Sequence, residues 1–163
     1  MEPNTTQQEL FIKMVLAAWE SQNKNLNNIL SSLTPEQLSK EIAPGKNTGT
    51  YLLGHLVAIS DAMLPILDFG EKLFPHLDEI FIQSPDKGGA EKPSITELKG
   101  CLEVVNKKLT EHIQSAGSTE WFKKHKAVSE EDFAKEPHRN KLNIIINRTN
   151  HMSYHLGQLI LLK

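Results

Sequence analysis

The sequence predicts an all-α fold, a four-helix bundle with long connections, and three observations carry that prediction. Apolar residues recur at steps of three and four in four separate stretches. No stretch alternates apolar and polar residues at the period of two that a half-buried strand needs. Segments bearing Pro and Gly, which end helices, divide the four stretches. Four amphipathic helices without strands bury their apolar faces most simply against one another. At 163 residues the chain suits one domain over 1–163.

The first helix is expected from about Thr5 to Leu33, with Phe11, Val15, Ala18, Leu26, Ile29 and Leu33 on one face. Gln22 falls within that stripe, where an aliphatic residue is expected. Thr34-Pro-Glu-Gln reads as a capping box with Pro at the first helical position, so a short turn of helix follows. Residues 43–50 form a loop ending in helix-capping residues. The second helix starts near Thr50, buries Leu52, Leu56, Ile59, Met63 and Ile66, and is kinked or ended by Pro65.

A connection from Gly70 to Pro93 comes next, of a length that is often functional or mobile. The third helix carries Ile95, Leu98, Leu102, Val105, Leu109 and His112 as a bundle seam. A second connection, Gly117 to Pro137, has room for a short helix at Glu130 to Lys135. The last helix begins near His138 and runs to the C-terminus. The two connections are long enough for crossovers, so a simple up-down-up-down order is not implied.

Composition narrows the function classes. Hydrophobic residues make up 39%, charged residues 23%, and the formal charge is -2, the profile of an ordinary globular protein. Lys and Arg are scattered among Asp and Glu, which argues against a nucleic-acid partner. A single cysteine, Cys101, permits no internal disulfide and points to a reducing compartment. Nothing near it would lower its pKa, so it reads as a small buried side chain. The N-terminus lacks the basic and apolar regions of a signal peptide, and no apolar run reaches the ~18 residues of a membrane span. A cytoplasmic location, with no membrane partner, is the expectation.

Chemistry concentrates in the last helix. Ile144, Arg148, His151, His155, Gln158 and Leu162 follow one another at steps of four and three, along one side. A parallel row, Ile145, Met152, Leu156 and Leu159, is apolar. The polar row therefore lies beside the buried seam, where an unpaired polar group costs ~1–3 kcal/mol. Histidines at i and i+4 stand about 6 Å apart along the axis, so both imidazoles can reach one ion with bonds of about 2.0–2.1 Å. His55, on the shoulder of the second helix's apolar stripe, supplies a third imidazole. His55, His151 and His155 thus fit a site of three protein ligands with further positions open. His76, His112, His125 and His138 read as surface or capping residues, with His112 the most buried of them. A di-iron carboxylate site needs Glu-x-x-His pairs, and the chain contains none.

These motifs resemble the DinB-like superfamily, which includes YfiT-type metal-dependent hydrolases, bacillithiol transferases and mycothiol-dependent maleylpyruvate isomerases. The matching parts are Leu33-Thr-Pro-Glu-Gln-Leu, the Pro-Gly-Lys-Asn loop, Tyr51-Leu-Leu-Gly-His-Leu and Asn150-His-Met-Ser-Tyr-His-Leu-Gly-Gln-Leu. The resemblance implies that His55, His151 and His155 bind nickel or zinc at one end of a bundle. Many members carry Arg where this chain has Leu156, and Glu where it has Met152, so the subgroup is not assigned. The resemblance also implies transfer of a low-molecular-weight thiol to a small electrophile.

The alternatives are metal-dependent hydrolysis, and a non-enzymatic bundle with a structural metal acting as a binding or stress-response module. Gln22, Arg148 and Gln158 are candidates for orienting the ligands or the substrate. The residues that perform catalysis stay unassigned at this point. Asp61, six residues after His55, is expected on another face and solvated. Trp19 belongs either to the core or to a homodimer interface.

Overall fold

A computed structural model describes residues 6–163. It holds seven α-helices and, among the described residues, no strand beyond two isolated bridges. The helices are α1 (Gln7–Ser32), α2 (Pro35–Leu38), α3 (Gly49–Asp61), α4 (Met63–Ile66), α5 (Ile95–Ser115), α6 (Glu130–Lys135) and α7 (Lys141–Leu159). Four of them, α1, α3, α5 and α7, exceed ten residues. The all-α class stands.

Capping chemistry sets most of the boundaries. Thr6 and Glu9 close a capping box that starts α1 at Gln7, and the expected start at Thr5 lies outside the described residues. Thr34 and Gln37 do the same for α2, with Pro35 in its first turn. The last helix starts at Lys141 rather than near His138, because Asn140 Oδ1 accepts the Asn143 amide at 3.0 Å and caps it there. Pro65 has no amide hydrogen, and the helical run is broken between Asp61 and Met63, within a turn before it.

Two apolar clusters lie along the bundle, and they reveal its topology. One gathers Leu26, Leu30, Leu52, Leu56, Leu98, Leu102, Met152 and Leu156. The other gathers Ile12, Trp19, Met63, Leu64, Val105, Leu109, Leu142 and Ile145. Reading residue numbers across the two, α1 and α7 run one way and α3 and α5 the other, an up-down-down-up order. The closest pairings, α1 with α7 and α3 with α5, are therefore between parallel neighbours. Parallel neighbours need a crossover that travels the length of the bundle, which is why residues 67–94 are so many.

That crossover is anchored to α3 throughout. Asp61 is fully buried, and its two carboxylate oxygens accept the Leu73 and Phe74 amides at 2.8 Å each. The expectation of a solvated Asp61 is corrected: the acid faces the returning chain and satisfies two of its donors. Further on, a π-helical turn, Glu79–Gln83, packs against α3. Tyr51 Oη donates to the Ser84 carbonyl at 2.7 Å, and Asp86 accepts the Thr48 amide at 2.6 Å while pairing with Lys92. The connection, of a length that is often functional or mobile, is held against α3 by these contacts.

The face of α1 differs from the expected one. Ile12, Trp19, Asn23, Leu26 and Leu30 are buried, whereas Phe11 is 49% exposed and Ala18 is exposed. Two adjacent apolar stripes compete in the first half of this helix, and the one holding Trp19 buries the larger side chain. Gln22 is half-buried at the edge, and Asn23 is the polar residue of the buried row. At 2% exposure Trp19 is core, so it cannot anchor an interface between copies.

Among the unassigned histidines, His112 is half-buried against Phe69 as expected, whereas His125, expected at the surface, is buried. The Ala127 amide donates to His125 Nδ1 at 3.1 Å, a local turn that its place in a connection did not suggest. The stretch Gly49–Ile66 reaches a mean hydropathy of 1.2 over 18 residues, a length that the sequence was expected not to supply. It is 67% buried within the fold and carries His55 and Asp61. Its apolarity is that of a helix surrounded by protein.

Candidate metal centre

His55 lies in the middle of α3, and His151 and His155 lie one turn apart in the second half of α7. α3 is buried nearly all round, and His55 stands on its half-buried flank with Ile59. The structure brings the three rings together: their ligand atoms all fall within 4.8 Å of one another. His55 Nε2 is 3.3 Å from His151 Nε2, which is 3.1 Å from His155 Nε2.

The outer nitrogens are already committed. His55 Nδ1 lies 2.8 Å from the carbonyl oxygen of Phe81 and His155 Nδ1 lies 2.6 Å from Gln158 Oε1. Oxygens of this kind only accept, so both Nδ1 atoms carry the proton and donate it. The Nε2 atoms of His55 and His155 are then left with lone pairs directed at His151. His151 Nε2 has at most one proton to donate, so one of the two lone pairs would remain without a partner.

A divalent ion resolves this arrangement. Three nitrogens bound at 2.0–2.1 Å in tetrahedral geometry stand about 3.3–3.4 Å apart, close to the His55–His151 and His151–His155 separations. The donor set therefore fits a metal, and the fit comes from hydrogen-bond accounting together with distance. No His, Cys, Asp or Glu beyond these three joins the cluster among the described residues. Such a set leaves coordination positions for exogenous ligands.

Electrostatics favour the ligating, neutral form of the two α7 rings. Burial pushes the His151 imidazole down to about 4, helped by His155, His55 and the Arg148 charge. Burial also lowers His155, while the Gln158 contact opposes it. Cys101 is half-buried against the core and its thiol is pushed up, chiefly by burial and then by Glu97 and Asp61. It stays a thiol and takes no part in the centre.

Several neighbours hold the rings in place. Tyr51, one turn before His55, stacks nearly parallel to it at 9° between planes. Gly54 lets Phe81 approach: a β-carbon at position 54 would overlap the Phe81 ring, which is fully buried. Without that close approach the Phe81 carbonyl could not reach His55. Sequence reasoning missed Tyr51 and Phe81 as site residues. The Gly-His dipeptide and an aromatic at i−4 were the available signals.

The three candidate orienting residues separate. Gln158 binds His155 directly. Arg148 is half-buried one turn before His151, and its Nε is shut away from solvent with no hydrogen-bond partner. No hydrogen bond joins Gln22 to the three histidines among the described residues, so its expected role is unsupported.

Residues 18–159 match the family model described as the DinB superfamily. No curated protein matches the chain at a significant level.

Proposed function

Because the chain belongs to the DinB superfamily, and its three imidazoles converge on one point with two Nδ1 protons already placed, we propose that it is a metal-dependent thiol transferase. A low-molecular-weight thiol would bind beside His55, His151 and His155, and its sulfur would be passed to a small electrophile. The observation that carries this reading is the three-histidine cluster without a fourth protein ligand among the described residues. A structural metal would be expected to have a closed set of four.

A divalent ion held by the three Nε2 atoms would keep a bound thiol as its thiolate. The protein's own share is to hold neutral imidazoles in one geometry, through the Phe81 carbonyl, Gln158 and the Tyr51 ring. In the transfer the thiol proton goes to solvent and a carbon–sulfur bond forms. The leaving group departs with the electron pair of the bond that breaks.

The placement of acids favours thiol transfer over hydrolysis. Metal-dependent hydrolases of the His-Glu-x-x-His kind add a glutamate as general base. Here Met152 occupies that position, and Asp61 is occupied by two backbone amides. A thiol that ionises on binding needs no such base.

Cobalt(II) substitution tests this reading. Addition of 2-mercaptoethanol to the cobalt protein is expected to produce a near-ultraviolet sulfur-to-cobalt charge-transfer band. Consumption of a haloaromatic electrophile should then require both metal and thiol, and chelation should stop it. A cobalt spectrum indifferent to thiol would rule the proposal out.

A further inference from the structure

Arg148 has a property that sets it apart from the chain's other arginine. Arg139, also half-buried, pairs with Glu136 at 3.3 Å and with Asp132 at 3.8 Å. Arg148 is half-buried, yet it makes no ion pair and no hydrogen bond among the described residues, and its Nε is closed off from solvent. An Nε withdrawn from water with no acceptor is costly, and an ordinary protein would supply a carboxylate to such a group. None is present. Moreover, Arg148 shares one side of α7 with His151, at i and i+3, where side chains are neighbours.

Charge at the centre points the same way. The three imidazoles bind as neutral ligands, and no acid belongs to the cluster among the described residues. A divalent ion would leave the site at +2, and Arg148 adds a third positive charge beside it. A thiolate offsets only one of these. Guanidinium forks match carboxylates in shape as well as charge.

We propose that Arg148 is a substrate-binding residue that receives a carboxylate of the molecule occupying the open positions beside His151. This rests on the reading of the histidines as a metal site that takes a thiol. The carboxylate is carried either by the thiol or by the electrophile. Arg148 thereby makes the site selective for anionic over neutral ligands of the same size.

The test uses the cobalt-loaded full chain and three probes: 3-mercaptopropionate, its neutral amide 3-mercaptopropanamide, and propionate. Dissociation constants of the two thiols are read from the charge-transfer band, and that of propionate from competition with the amide. Wild type is expected to bind the anionic thiol about tenfold more tightly than the amide. Arg148→Gln should erase that preference with cobalt content and amide affinity unchanged, and Arg148→Lys should restore part of it.

Strong competition by propionate without an advantage for the anionic thiol would assign the carboxylate to the electrophile and still support Arg148. A wild type that ignores the carboxylate in every probe overturns the proposal, whether or not the variants fold. So does a preference that survives in Arg148→Gln. Loss of cobalt binding by the wild type would overturn the metal reading along with it, and intact cobalt binding separates the two failures.

Discussion

His151→Ala is expected to lower divalent-metal affinity by about 10²–10³-fold while leaving the metal-free protein at least as stable as wild type. Structural zinc sites bind with about 10–16 kcal/mol over four ligands, so one ligand accounts for roughly 2.5–4 kcal/mol. The stability half of this expectation is the more diagnostic. His151 is half-buried and its Nε2 stands within 3.3 Å of two nitrogens that carry lone pairs. Removing it from the metal-free protein gives up at most one hydrogen bond and lets water reach the two lone pairs that His151 could not both satisfy. Thermal denaturation with and without zinc separates the two effects. Wild type should gain stability on adding zinc, by mass action, and the variant should gain far less at the same zinc concentration. A variant that melts far below metal-free wild type would mark His151 as a packing residue and weaken the account.

Gly54→Ala is expected to destabilise the protein by about 1–3 kcal/mol, against the usual gain of Ala over Gly within a helix. The new methyl group would overlap the ring of Phe81, which is fully buried and touches Tyr51 at 5.7 Å between centroids. Phe81 must move, and its carbonyl then leaves His55 Nδ1. Loss of such an outer hydrogen bond costs 10–100-fold in metal affinity in comparable sites, a range of about that size being expected here. Phe81→Leu in the same chain should recover much of the lost stability, because it empties the space that the methyl group needs. Urea unfolding of the single and double variants measures this directly. A Gly54→Ala protein more stable than wild type, with unchanged metal affinity, would show that the approach of Phe81 is not what positions His55.

Much of the centre was legible because its parts are local. His151, His155 and Gln158 lie within eight residues of one helix, where spacing alone determines which side chains are neighbours. His55 came from a different helix but stood out as a polar residue on the shoulder of an apolar stripe. What escaped was non-local or belonged to the backbone. The Phe81 carbonyl has no signature in the sequence, since every residue carries one. Asp61 looked solvated because its partners, the Leu73 and Phe74 amides, sit on a crossover whose path the sequence does not reveal. In α1, the stripe of Phe11 and Ala18 and the stripe of Ile12 and Trp19 fit the helical period equally well. Only packing against α7 and α5 decides between them, and it moved the buried polar position from Gln22 to Asn23. The up-down-down-up order was likewise beyond periodicity, which gives faces and not directions.

X-ray absorption at the zinc edge of the zinc-loaded protein tests the central claim most directly. One ion per chain is expected, with three imidazole nitrogens at about 2.0–2.1 Å, two in His151→Ala, and a sulfur neighbour at about 2.3 Å once a thiol is added to wild type. An ion bound through fewer than three imidazoles in wild type, or held equally well by His151→Ala, would contradict it.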